Sequence, residues 1–284
     1  MALSIGTNDG AMRASQAASM AARGMEASME RLSTGKRINS ASDDAAGVAI
    51  SSRLSAEVRG TNQSVRNALD GQALIATAEG AHKEIENVLQ RMREIAVQAA
   101  NDTNNTQDRK NLQAEMDAMV TEIDRISHAT TWAGAALLNG NAAGAVDTTA
   151  TFSLQVGSAT GTQNQISVSI GSMNAETLNL TENGTNDDSL VLVVADADIT
   201  ADDHTVNGGT TTATGNALEA ITLIDAAIKT VNTQRSTLGA TTNRLNHTVN
   251  NLTNMSANVS SAQGRIEDAD FAIETTNLAK NQIL

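Results

Sequence analysis

The chain has 284 residues, no proline, no cysteine and 1% aromatic (Phe, Trp, Tyr) content, made up of Trp132, Phe152 and Phe271. The lack of cysteine excludes disulfides and thiolate metal sites, and the lack of proline leaves long helices without obligatory breaks. Net charge is −13, and no Lys or Arg occurs between Arg125 and Lys229, an interval holding eleven acids; a nucleic-acid binder, which needs positive charge on one face, is excluded.

The first fifteen residues, MALSIGTNDGAMRAS, lack the apolar core of a secretory signal, and no apolar run reaches the length of a membrane span, so no insertion is expected. Ala11, Ser15, Ala18, Ala22, Met25, Met29 and Leu32 alternate at four and three. This seam of small and flexible residues is too weak for an isolated helix and predicts a segment that orders on meeting a partner. A polar connector follows, with Ser42 as the expected N-cap and Asp43 and Asp44 in the first turn of the next helix. That helix is expected to reach about residue 101, with Gly71 and Gly80 as interruptions or close packing points. Ile85, Leu89, Met92, Ala96 and Ala99 form its apolar stripe. After the turn cluster Asp102 to Gln107, a second stripe of Leu112, Met116, Met119, Ile123 and Ile126 predicts a helix packing back antiparallel.

Residues 139–150 read as a Gly/Ala/Asn-rich loop. Strict alternation in Phe152, Leu154 and Val156, then in Ile166, Val168 and Ile170, predicts a β-hairpin near 151–170 that must rest on helices. SLVLVV, Ser189 to Val194, is a third strand candidate within polar, acidic sequence. From about Gly215, twelve positions from Ile221 to Val259 alternate three and four, nine of them aliphatic. They predict a helix of roughly 58 Å at 1.5 Å per residue, with Leu238, Leu245, Val249 and Leu252 in the core. Gly264 is a possible bend, after which Ile266, Ala269 and Ile273 resume an apolar stripe. The fold class is mainly α: a long antiparallel helical rod or coiled-coil bundle with a β-hairpin and a small variable insertion.

No catalytic constellation is legible. His82, His128, His204 and His247 are scattered, HKEIE at His82 lacks the second histidine of a zinc protease helix, and no G-x-S-x-G elbow occurs. DADITADD, Asp196 to Asp203, lacks the calcium-loop register and reads as a solvated acidic tip. No enzyme, metal or cofactor is expected.

The wording of four segments carries more than their periodicity does. LSTGKRINSASDDAAGVAISSRL at 32–54, NALDGQALIATAEGAHKEIENVLQRMREIAVQAAN at 67–101, QAEMDAMVTEIDRIS at 113–127 and RIEDADFAIETTNLAKNQIL at 265–284 resemble, in order, the terminal regions of bacterial flagellin. The resemblance implies a subunit that polymerises with itself into the flagellar filament, outside the cell, after export by the flagellar type III apparatus without a cleaved signal peptide. It implies terminal segments 1–42 and 261–284 in the inner tube, 43–175 and 205–260 in a surrounding rod, and 176–204 as a short acidic outer segment. Implied partners are the export chaperone, the filament cap and junction proteins, and a host Toll-like receptor contacted through Arg91, Ile95 and Glu115. The family usually continues a few helical turns beyond Leu284. Two other readings remain at this stage. A hook–filament junction protein shares the terminal architecture, and an adhesin would use the acidic middle segment.

Overall fold

A computed structural model of the chain describes residues 8–140, 149–180, 205–206, 209–210 and 213–283. The longest unbroken patterns become the longest elements. These are α2 (Ala45–Ala99) and α4 (Ala213–Glu267), each of 55 residues, with α1 (Asp9–Thr34), α3 (Thr106–Ala129) and α5 (Phe271–Ile283) between and beyond them. The chain divides into two units, Met1–Val65 with Asn250–Leu284, and Arg66–Val249. Both α2 and α4 contribute to each. No helix among the described residues is long and apolar enough to cross a membrane.

In the Arg66–Val249 unit, polar bridges give the register of α2 against α4. Gln72 donates to Asn246 at 2.9 Å, Glu86 pairs with Arg235, and Arg93 donates to Asp225 at 2.7 Å. As one number rises the other falls, so the helices run antiparallel. The stripe predicted on α2 is fully buried at Ile85, Leu89, Met92, Ala96 and Ala99. Met116 and Ile123 of α3 and Leu238 and Leu245 of α4 complete the core, with Met119 and Val249 half-buried at its edge. Asn105 opens α3 with a reciprocal capping box to Asp108, satisfying two end groups at once.

Neither Gly71 nor Gly80 interrupts α2. Gly71 is a close packing point, because a Cβ there would lie 2.1 Å from Leu154 of the hairpin, whereas Gly80 faces open space. The hairpin forms as the alternation requires: β3 (Thr149–Gln155) and β4 (Gln165–Gly171) pair antiparallel, with Phe152 opposite Val168 and Leu154 opposite Ile166. Asn67 of α2 and Gln234 of α4 donate to hairpin carbonyls, of Gln155 at 3.0 Å and Ser169 at 2.8 Å. An unpredicted two-residue hairpin precedes it, β1 (Thr131–Trp132) with β2 (Ala135–Ala136), turning through Ala133 and Gly134 at positive φ. A minimal pair, β5 (Thr205–Val206) with β6 (Gly209–Thr210), precedes α4. The strand candidate at 189–194, the acidic stretch at 196–203 and most of the acidic segment at 176–204 lie outside the described residues.

His82 is fully buried on α2, its Nδ1 2.7 Å from the Ala78 carbonyl and its Nε2 without a protein partner. Burial holds it below the ordinary histidine value, opposed by the Ala78 bond; the Arg235 guanidinium on α4 lowers it further and Glu79 raises it. Glu86, one turn along α2, is already paired with Arg235. A base depressed by folding binds fewer protons folded than unfolded, so its stabilising contribution is complete above about pH 6.5 and falls as pH drops below it. Urea unfolding should therefore show this unit weaker at pH 5 than at pH 8, and His82→Leu should flatten that difference. Identical pH dependence in both proteins would remove His82 from the account.

The other unit has a different interior. Among its described residues only Ile38 and Leu252 are buried hydrophobics, while Ser51, Thr61, Ser64, Ser28 and Glu274 are buried polar ones. Its α1 is a formed helix with an intrachain partner: α5 packs antiparallel to it, with Arg31 reaching Glu274 and Gly24 seated against Asn281. The α1 seam is rotated from the expected one. Ser28 is buried and Ala21, Gly24, Met25 and Leu32 are half-buried, while Ala11, Ser15, Ala18, Ala22 and Met29 are exposed. With Ala and Ser on several sides, small size decides which face lies against α5. The terminal stripe shifts likewise, since Ile273 is exposed and Glu274 beside it is buried. Gly264 does not interrupt α4, which continues to Glu267.

Candidate functional site

The two signatures at the ends of the sequence meet in space. Gly35, in the left-handed conformation at φ 72°, ends α1 with its N–H on the Arg31 carbonyl. It turns the chain so that Lys36 pairs in a short antiparallel bridge with Asp268. The Arg37 N–H donates to the Glu267 carbonyl at 2.7 Å, and the Ala269 N–H returns to the Gly35 carbonyl at 3.0 Å. The Arg37 guanidinium donates to the Ile266 carbonyl at 2.8 Å, so the α4 C-terminus is satisfied by a cation, as the helix dipole favours.

Glu267 is the hub. Its carboxylate takes an ion pair from Lys36, a hydrogen bond from the Ser51 hydroxyl at 2.7 Å and one from Gln263 at 3.1 Å. Lys36 first, then Ser51, holds its carboxyl down at about 2, against burial pushing the other way. A folded value below the unfolded one means the contribution is present above about pH 4.5 and is lost as pH falls through about 2. Acid titration followed by circular dichroism should show Glu267→Gln already weakened at neutral pH and less sensitive to pH over that range than the native chain. A variant that titrates like the native chain would displace Glu267 as hub.

Caps place the flanking elements. The Asp43 carboxylate accepts from the Asn39 and Ser40 N–H groups, and the Ser40 backbone bond foremost lowers its carboxyl. Asp44, not Ser42, caps α2: its side chain accepts from the Gly47 N–H at 2.9 Å and its carbonyl from Val48. A carboxylate in that place outcompetes a hydroxyl because it also meets the helix dipole. Asp270 caps α5 through the Ala272 and Ile273 N–H groups. Beside the hub a groove of about 270 Å³ is lined by Lys36, Ile38, Asn39, Ser51, Gln263 and Glu267.

The two helices that meet at this knot expose several large apolar side chains. Met12, Met20 and Met29 of α1 and Phe271, Ile273 and Ile283 of α5 are 54–86% exposed. Met20 and Met29 lie nine residues apart, on opposite sides of their helix at about 100° per residue.

The predicted receptor residues separate. Arg91 and Glu115 come together across α2 and α3 at 3.1 Å, and Arg91 also reaches Glu94 at 2.8 Å. Those bonds, Glu94 first and then Glu115, raise the Arg91 pKa. Ile95 is 1% exposed and belongs to the core, so it offers no surface knob. Three residues past Met92 and one before Ala96, it falls within a stripe wide enough to face two neighbouring helices. Among the described residues no three His, Asp or Glu side chains gather as for a metal.

Comparison with known proteins places these features. Residues 5–143 match the family model described as the bacterial flagellin N-terminal helical region, and residues 221–284 match the bacterial flagellin C-terminal helical region. Flagellin B of Vibrio cholerae serotype O1 is 43% identical over 177 residues, which cover 62% of this chain and 45% of that protein. Flagellin B of Vibrio anguillarum is 48% identical over 141 residues, covering 50% and 38%. The chain thus spans under half the length of these relatives. A solved structure described as a flagellar hook-associated protein, from Vibrio parahaemolyticus, superposes with a TM-score of 0.60 over 80% of this chain and all of the other, at 17% identity. That likeness concerns the fold alone. With both terminal models matched and the two matched signatures hydrogen-bonded to each other, the chain belongs to the bacterial flagellin family.

Proposed function

We propose that the chain is a structural subunit that polymerises with its own copies into the extracellular filament of the bacterial flagellum, and that it is not an enzyme. One observation carries this reading: the unit built from the chain ends buries only Ile38 and Leu252 among its described apolar side chains, yet leaves six large ones exposed on α1 and α5. A helix apolar on opposite sides is stable when surrounded, and contacts between identical copies that do not close generate a helical polymer. In this reading residues 1–42 and 261–284 line the inner tube, 43–175 and 205–260 surround them, and 176–204 face outward. The export chaperone, the type III apparatus, and the cap and junction proteins are the partners such a subunit requires.

Seeded polymerisation followed by electron microscopy tests it. The chain should grow filaments, α1 should be cut by protease in the monomer and protected in the polymer, and Met20→Glu with Ile273→Glu should abolish growth. Equal protection of α1 in monomer and polymer would overturn the assignment of the termini.

A second reading concerns host recognition, favoured by the exposed Arg91–Glu115 pair. We propose that a Toll-like receptor would engage Arg91 and Glu115 without Ile95. Arg91→Ala should lower signalling in a cell reporter about tenfold or more, a loss of about 1.4 kcal/mol, with an unchanged melting temperature. Native signalling by that variant would remove the epitope while leaving the filament reading intact.

A further inference from the structure

We propose that Met12, Met20 and Met29 form a peroxide-reactive site whose oxidation bars an unassembled chain from the filament, an inference that rests on the filament reading above. Among the described methionines these three are the exposed ones, at 63%, 60% and 54%, and all lie on α1. Met92, Met116 and Met173 are buried, and Met25, Met119 and Met255 are half-buried. The reactive thioethers are therefore segregated on the helix whose exposed surface assembly must cover, and the protected ones hold the core of the other unit.

The chemistry needs only a hydroperoxide. With hydrogen peroxide, the sulfur lone pair attacks one peroxide oxygen, the O–O bond breaks, a sulfur–oxygen bond forms, and the proton of the attacked oxygen passes to the departing hydroxide, which leaves as water. Sulfur loses two electrons and the peroxide gains them. The product is a polar, chiral sulfoxide. In the monomer it stays in water and costs the fold little. In an assembled tube it would have to be desolvated without a designed partner. Because Met20 and Met29 face opposite ways, no single docking orientation of α1 avoids both.

The test treats monomer with hydrogen peroxide, maps sulfoxides by peptide mass spectrometry, verifies helicity by circular dichroism, and then measures seeded growth. The expected result is oxidation at positions 12, 20 and 29 ahead of 92, 116 and 173, unchanged helicity, and growth slowed at least about tenfold, the scale of one buried polar group left unpartnered. Methionine sulfoxide reductases acting on both epimers should restore growth. The triple variant Met12→Leu, Met20→Leu, Met29→Leu keeps volume and polarity and should grow equally with or without peroxide. In preformed filaments the same three residues should oxidise at least about tenfold less. Native growth by oxidised chain, or equal inhibition of the triple variant, overturns the proposal. Untreated chain that stays monomeric beside a seed overturns the filament reading, and this proposal with it.

Discussion

Leu245→Ala is expected to lower the unfolding free energy of the Arg66–Val249 unit by about 2–5 kcal/mol, the largest loss from any single truncation considered. Leu245 is fully buried in the cluster that contains Leu89, Met92 and Leu238. Few groups nearby can move in to fill the space. The chain has only three aromatic side chains, and many core positions on α2 are already alanine, including Ala68, Ala78, Ala81 and Ala96. Met92→Ala should fall at the lower end of the range, since flexible neighbours such as Met116 relax more readily. At about 2–4 °C per kcal/mol for a domain of this size, Leu245→Ala should lower the melting temperature by roughly 4–20 °C. Arg91→Ala, which removes exposed ion pairs, should melt close to the native chain. Thermal unfolding of the three variants side by side checks the ranking. A Leu245→Ala protein melting with the native chain would mean that α4 does not contribute its stripe to the core.

The parts of this fold legible in sequence are those where one face is aliphatic and the other polar. Ile85 to Ala99, Met116 to Ile123 and Ile224 to Leu245 are such stripes, and the period-two alternation of β3 and β4 is another. Legibility fails where small residues leave the phase open. On α1, Ala or Ser occupies nearly every side, and the buried face is chosen by contact with α5, some 240 residues away. Four of the five residues in SASDD can cap a helix, so the choice of Asp44 follows from where Ile38 meets Gly47. The two-residue turn at Ala133 and Gly134 lacks the Asn-Gly or Asp-Gly pair that announces such hairpins. Ile95 is legible as an aliphatic residue at the edge of the stripe but not as fully buried, because periodicity on one helix does not reveal how many neighbours surround it. The hub at Glu267 was legible only as wording: no local rule pairs a carboxylate with Lys36 and Ser51 more than 200 residues earlier.

Arg31→Ala is expected to loosen α5 from α1 by about 1–3 kcal/mol, although its guanidinium is partly solvated. Glu274 is 6% exposed, its Oε1 accepts from Arg31 at 3.1 Å, and its Oε2 has no partner. Removing Arg31 leaves a carboxylate buried with neither bond nor cation, and water must enter or the helices must part. Glu274→Leu should behave oppositely. It removes the carboxylate, fills its volume with aliphatic carbon, and leaves an Arg31 that can turn to solvent, so it should be near neutral. Hydrogen exchange on the monomer separates the two, because local opening of a thin helix pair appears there before global unfolding. Amides of α5 should exchange about tenfold to a hundredfold faster in Arg31→Ala and at close to native rates in Glu274→Leu. Equal acceleration in both would assign the pair a net stabilising role rather than the avoidance of an unpaired charge. Between helices whose only buried residues are Ser28 and Glu274, the Arg31–Glu274 pair also fixes the register in which the apolar faces are presented. Arg31→Ala should therefore slow seeded growth, and Glu274→Leu, which removes the same pair but leaves no buried charge, should slow it less.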